Sequence, residues 1–396
     1  MSWFDESLVT SNPLGESHSQ TALSEPPAPA ADTAVAALCT GDFHDRWDRL
    51  RQIADLGEAA LGDLIAILQD DDRDWESRWF AARALGNLPH ATVIPTLIET
   101  FARTTDDDLR QAVAVALSQI GPAAIATLGE QLAQPGLRPM AVQALARIQH
   151  PDTMPLLLTV MDDPRSTVRA TAIDALSAYG DPTTLTAIEQ SLGDPSALVR
   201  LSAIRGMVNL RSHLGGDRLV AAISPLLADA DNRVAQQAIY ALGRVPTAHR
   251  PLLARLKTAP ADHLQTGTLQ TATLQTGTLQ AALVQALVWQ GTPQSVTGAM
   301  AAWDRLDRSG QMALVAGLPA LPPSLKAQLL PTLRHWLRAL PTTPDASQLR
   351  CHLVLALGQM GDGDPLTQAS DLRSLLQDPD PAVQIHAEAA LRLLEA

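Results

Sequence analysis

The chain has 396 residues, of which 46% are hydrophobic, 18% charged and only 3% aromatic, enough for roughly two to three ordinary domains or one long repeat array. Its 42 acids against 29 bases leave a net charge of −13, so the clustered cations that meet phosphates are missing and no nucleic-acid partner is expected. Two cysteines, Cys39 and Cys351, make neither a disulfide framework nor a Cys-rich metal site. No run of about 18 apolar residues reads as a membrane span, and the N-terminus lacks the basic start and apolar stretch of a secretory signal. A cytoplasmic protein, monomeric because of its acidic surface, is the expectation.

Residues 1–35 read as a disordered N-terminal tail, rich in Ser, Pro, Ala, Glu and Thr, a composition that buries too little apolar surface to fold alone. Its opening, Trp3-Phe4-Asp5-Glu6-Ser7-Leu8-Val9, sets bulky apolar residues beside acids. It reads either as a docking peptide or as a tail end that packs casually.

From residue 46 onward the chain repeats itself. The clearest copies are Asp163-Pro164 followed by Val168-Arg169, Ala172, Ala175-Leu176 and Gly180, and Asp194-Pro195 followed by Val199-Arg200, Ala203 and Ile204. Arginines recur at Arg78, Arg110, Arg138, Arg169 and Arg200, in steps of 32, 28, 31 and 31 residues. Later copies keep the apolar frame and lose the arginine (Val234-Ala235, Val383-Gln384), whereas Arg350 regains it.

Each unit predicts two helices. Val168, Ala172, Ala175, Leu176 and Tyr179 share one helical face. Asp163 suits an N-cap and Pro164 the first helical position, while Gly180 suits the left-handed residue that ends a helix. Leu185, Ile188 and Leu192 then mark a shorter second helix. One hairpin cannot bury its apolar face alone, so neighbours must stack. The expectation is an all-α, right-handed α-solenoid of about ten hairpin units.

The stretch 263–280 breaks the pattern. Leu-Gln-Thr-Gly-Thr, Leu-Gln-Thr-Ala-Thr and Leu-Gln-Thr-Gly-Thr follow one another at a five-residue period that drifts around a helix axis. The predicted organisation is therefore an N-terminal repeat lobe over 36–256, a low-complexity connector over 257–280 and a C-terminal helical-repeat lobe over 281–396.

The spacing Asp-Pro-x-x-x-Val-Arg-x-x-Ala-x-x-Ala-Leu-x-x-x-Gly resembles the HEAT-like repeats of the phycobilisome lyase group, which is abundant in cyanobacteria. The segment Trp75-Glu76-Ser77-Arg78-Trp79-Phe80-Ala81-Ala82-Arg83-Ala84-Leu85-Gly86 is similar to the opening repeat of bilin lyase subunits, in which an Arg and two aromatics precede small residues. That resemblance implies two settings. One is a non-catalytic scaffold that grips a protein partner, a phycobiliprotein, along an extended concave surface during antenna assembly or turnover. The other is a phycobilin lyase or isomerase subunit holding a bilin near an acceptor cysteine. The scaffold setting implies no cofactor; the lyase setting implies a bilin.

Three features compete as sites. Trp75, Arg78, Trp79 and Phe80 form the candidate partner- or bilin-binding surface. Trp79 and Phe80 are adjacent, so one faces the core and the other a groove, and Trp47 joins them if it caps the stack. The arginines at 110, 138, 169 and 200 read as a structural ladder. Asp72, Asp163 and Asp194 each precede an arginine by six residues, which predicts pairing with the carboxylates of the same or an adjacent repeat. The acid runs at 70–74 and 106–108 lack the glycine and terminal glutamate of a calcium loop and read as helix-capping turns. None of the ten histidines is followed by Glu, unlike the His-Glu iron ligands of HEAT-type deoxyhypusine hydroxylases. No His-x-x-x-His pair, nucleophile elbow or phosphate loop is present. No catalytic residue and no metal ligand is assigned.

Overall fold

The computed structural model describes residues 35–40, 42–88, 90–259, 279–360 and 365–395. Most of the predicted tail, with Trp3 and Phe4, lies outside the described residues, as does 260–278 of the predicted connector.

The described chain is an all-α solenoid of 21 α-helices, ten hairpins and a final helix. In chain order the hairpins are α1 Phe43–Leu56 with α2 Leu61–Gln69, α3 Trp75–Leu85 with α4 Val93–Arg103, and α5 Asp107–Ile120 with α6 Ile125–Gln131. Then come α7 Arg138–Ile148 with α8 Thr153–Leu158, α9 Ser166–Ala178 with α10 Leu185–Gln190, and α11 Ala197–Asn209 with α12 Gly216–Ile223. The second half holds α13 Asn232–Gly243 with α14 His249–Thr258, α15 Leu279–Gln290 with α16 Pro293–Met300, α17 Arg308–Gly317 with α18 Pro323–Ala339, α19 Pro344–Gln359 with α20 Pro365–Ser374, and the closing α21 Pro381–Glu395. Odd-numbered helices pack on one another to make one layer, and even-numbered helices make the second.

Acids and hydroxyls start the helices by accepting from amides that have no intrahelical partner. Asp74 accepts from Ser77 N at 2.9 Å, Asp106 from the Asp108 and Leu109 amides, and Asp307 from Gly310 N at 2.7 Å. Asp163 does not cap α9. That helix begins at Ser166, and the Asp163 carboxylate accepts instead from Arg165 N at 2.9 Å in a tight turn ahead of it. Gly180 takes the left-handed conformation at φ 66°. Among the described residues, every one of positive φ, Gly57, Gly121, Gln149, Gly180 and Gly291, sits eleven positions after the ladder register at 46, 110, 138, 169 and 280. This column is where each odd helix must turn back.

The apolar face of α9 is broader than one stripe. Ala170 and Ile173 are buried along with Val168, Ala172, Ala175 and Leu176, because a middle helix meets both neighbouring odd helices and its own partner. Glycine tightens some of these seams: a Cβ on Gly86 would lie 2.7 Å from Ala116 Cα, and one on Gly358 2.7 Å from Ala390 Cα.

The core runs through the junction of the two predicted lobes. Gly243 of α13 abuts Ala286 of α15, and the Gln290 amide donates to Leu242 O and Val245 O at 3.2 and 2.9 Å. Residues 257 and 258 end α14, and Leu279 and Gln280 begin α15, so helix extends into both ends of the predicted connector. The run Asp107–Gln131 is long and apolar enough by composition to cross a membrane. It is folded at Gly121, φ 75°, into α5 and α6, and its Leu109, Val113, Leu117, Ile125 and Leu128 lie in the solenoid core.

Candidate functional site

The arginines of the ladder point along the solenoid edge and are consumed there. Arg169 Nη1 donates to Asp163 O at 2.6 Å, while its Nε and Nη2 donate to the Asp194 carboxylate at 2.8 and 2.7 Å. Arg200 repeats the arrangement with Asp194 O at 2.8 Å and the Asp229 carboxylate at 2.7 Å. Arg138 donates to Leu132 O at 2.5 Å and Asp163 Oδ2 at 2.6 Å. Each rung thus reaches back to a carbonyl of its own loop and forward to a carboxylate of the next repeat. Burial pushes the Asp163, Asp194 and Asp229 carboxyls up, but hydrogen bonds from Arg138, Arg169 and Arg200 respectively and from backbone amides outweigh it, leaving each below the usual range.

Two expected rungs differ. Arg78 meets Asp71 at 2.8 Å rather than Asp72, and its Nε reaches Leu68 O at 3.2 Å, because the chain before α3 is one turn of acids longer than in later repeats. Arg110 keeps the carbonyl of Thr104 at 3.0 Å, but the carboxylate nearest it is that of its own Asp107 at 3.6 Å. The following loop offers Gln134-Pro135 and no acid. Arg46, outside the predicted ladder, is a rung of it, reaching Asp74 at 3.4 Å and Glu76 at 3.3 Å. Gln384 stands at the arginine position of the last repeat and keeps the backward bond, to Asp378 O at 2.7 Å.

With the ladder neutralised, the surface that remains free on the odd layer is set by one register. Positions one, five and nine after the ladder residue line up along each odd helix. At its N-terminal end this face carries Trp47 of α1 and Trp79 and Arg83 of α3. The Trp47 and Trp79 ring centroids are 6.3 Å apart, and the Arg83 guanidinium lies 5.9 and 5.7 Å from them. These near-equal distances place the cation over both rings, a cation–π arrangement. Phe43 stacks on Trp47 at 6.2 Å. Phe43, Trp47 and Trp75 are 54%, 39% and 50% exposed.

Phe80 is withdrawn from the candidate surface. It is fully buried and packs edge-on against Trp79, their centroids 5.0 Å apart. Helix geometry sends adjacent side chains to different faces, and Phe80 takes the core. Trp75, at the first position of α3, is exposed but apart from the stacked rings, and Arg78 is spent on the ladder.

A second aromatic pair lies on the same face. Tyr240 of α13 and Trp289 of α15 have centroids 6.0 Å apart, and Trp289 is 54% exposed. Beside them is a cavity of about 510 Å³ lined by Gln285, Val288, Trp289, Ala313, Ala316 and Leu321 among others. The sequence reading missed Trp289, yet the register could have found it. Position nine elsewhere holds Asn87, Gln119, Arg147, Ala178, Asn209, Arg244 and Gln359, all exposed, so a tryptophan in that column must be exposed too. Among the described residues, no three His, Cys, Asp or Glu side chains converge as metal ligands.

Residues 61–136 and 125–208 match the family of HEAT repeats. No curated protein matches the chain. Among solved structures, Kap121p bound to Ste12p is similar at 12% identity and a TM-score of 0.61, covering 93% of this chain and 49% of that chain. Importin beta is similar at 15% identity and a TM-score of 0.58, covering 92% and 55%. The chain therefore spans about half the length of these structures, and at such identity the likeness is one of fold: a HEAT-type solenoid.

Proposed function

We propose that this solenoid is a non-catalytic scaffold or adaptor that holds a partner protein on the exposed face of its odd helices, and that the aromatic end at α1 and α3 anchors the partner. The observation that carries the reading is the cluster of Phe43, Trp47 and Trp79 capped by Arg83. In a chain that is 3% aromatic, rings that remain solvent-accessible beside an arginine are the residue types that dominate binding hot spots. The similar Kap121p is seen bound to another protein, Ste12p, which supports the same use of the fold here. The resemblance of the repeat pattern makes phycobiliprotein assembly or turnover the setting of this proposal.

The test is co-expression with a phycobiliprotein subunit and bilin-producing enzymes, comparing the wild type with Trp47→Ala/Trp79→Ala. A stable complex that the double variant loses, with unchanged chromophore absorbance, supports the scaffold. Covalent attachment of chromophore to the subunit, dependent on this chain, would instead establish the bilin lyase role. A complex that survives the double variant would show the anchor to be elsewhere.

A further inference from the structure

The scaffold reading leaves the partner's chemistry open, and the electrostatics of the α1–α3 surface narrow it. Arg83 differs from the ladder arginines in one respect. Arg46, Arg78, Arg138, Arg169, Arg200 and Arg350 each meet a carboxylate, whereas among the described residues Arg83 meets none. Its Nε is buried without a hydrogen-bond partner, its guanidinium rests on Trp47 and Trp79, and the charged group it feels most is another cation, Arg147. Burial first, and the charge of Arg147 second, push its pKa below the ordinary value. A partly desolvated cation with a buried, unpartnered nitrogen is unfavourable in the free protein and is relieved by an incoming anion. The next ion pair along the face, Asp174 with Arg205 at 3.1 Å, is already closed.

We propose that this face binds an acidic peptide segment, with a carboxylate seated on the Arg83 guanidinium and an adjacent apolar or aromatic side chain laid on the Phe43, Trp47 and Trp79 rings. The inference rests on the scaffold reading and names the partner class for the same surface. Charge complementarity selects the occupant: the chain carries a net charge of −13, so an acidic segment is repelled from most of the molecule and attracted to this point. A guanidinium fork matches a carboxylate better than it matches a neutral amide.

Phage-displayed random peptides selected against the immobilised full chain test this directly, followed by fluorescence anisotropy on the selected sequences in wild type, Arg83→Gln, Trp47→Ala/Trp79→Ala and Trp289→Ala. The expected consensus places Asp or Glu next to an aromatic or aliphatic residue. Its affinity should fall at least about tenfold in Arg83→Gln, weaken with added salt, and be unchanged in Trp289→Ala. Melting temperatures of wild type and Arg83→Gln are compared alongside, and Arg83→Lys should recover part of the binding because it restores the charge without the stacked plane. A neutral or basic consensus that the double tryptophan variant abolishes would overturn the acidic assignment while leaving the docking surface in place. Peptides that bind equally to the double tryptophan variant would overturn both.

Discussion

Replacing Arg169 by methionine removes the best-formed rung of the ladder while keeping much of the aliphatic volume. The side chains of Arg169 and Asp194 are each 12% exposed and meet through two bonds of 2.8 and 2.7 Å. Removal also strands Asp163 O, the acceptor at 2.6 Å. Breaking a fully buried pair costs about 3–5 kcal/mol; with the remaining exposure and the surviving Ser196 amide bond to Asp194, about 2 kcal/mol is expected. Unfolding in repeat arrays is local, so the readout is amide exchange in α9 to α12, which should speed by roughly 30-fold there and little in α17 to α21. The sign of the pH dependence follows from Asp194, whose folded pKa lies below the ordinary carboxylate range. Its contribution is complete above the unfolded pKa and is lost as pH falls through the lowered folded value. The gap between wild type and variant should therefore narrow below about pH 4. The double variant Arg169→Met/Asp194→Leu should recover part of the loss, since an apolar pair leaves no buried charge, although Asp163 O and the Ser196 amide stay without those partners. A gap of the same size at acid and neutral pH, or a double variant worse than the single one, would refute the reasoning.

Three further outcomes follow from the register. Gln149, held at φ 50° and the one non-glycine of positive φ among the described residues, should accept Gln149→Gly with a gain of about 0.5–1 kcal/mol in chemical denaturation, relief of left-handed strain exceeding the added entropy of the unfolded chain. Gly86→Ala should lose about 1–3 kcal/mol by the same measurement, because its Cβ meets Ala116 Cα at 2.7 Å although its φ of −60° is ordinary. Glu388 occupies the position that is buried as Val142, Ile173, Ile204, Ile239 and Val354 in other repeats, and it is exposed on α21 beside Ile385, 65% exposed, and Leu393, 50% exposed. Glu388→Ile should complete an apolar patch and cause concentration-dependent association in analytical ultracentrifugation; a species independent of concentration would contradict that account.

The repeat frame was legible from the sequence because stacking hairpins demands small apolar residues at fixed intervals, and Ala172, Ala175 and Leu176 obey that demand wherever they recur. The arginine ladder was legible as a spacing, but the pairing was not. Asp163 and Asp194 precede their arginines by six residues, yet each lends its own arginine a carbonyl and gives its carboxylate to the arginine before. Only the offset between stacked loops decides which oxygen an arginine reaches, and that offset also put Asp71 in the place expected for Asp72. The glycines that close the motif looked alike in one dimension. Packing separates them, with Gly180 present for its backbone angle at an open site and Gly86 present because another helix occupies the space of its Cβ. The same division holds for the candidate site. Local sequence established that Trp79 and Phe80 must part company and that Trp75 and Trp47 stood nearby, since a helix fixes the angle between neighbours. Which ring is core, that Trp47 and Trp79 lie under Arg83, and that no carboxylate among the described residues comes to meet that cation are properties of helices brought together, and no single helix carries them.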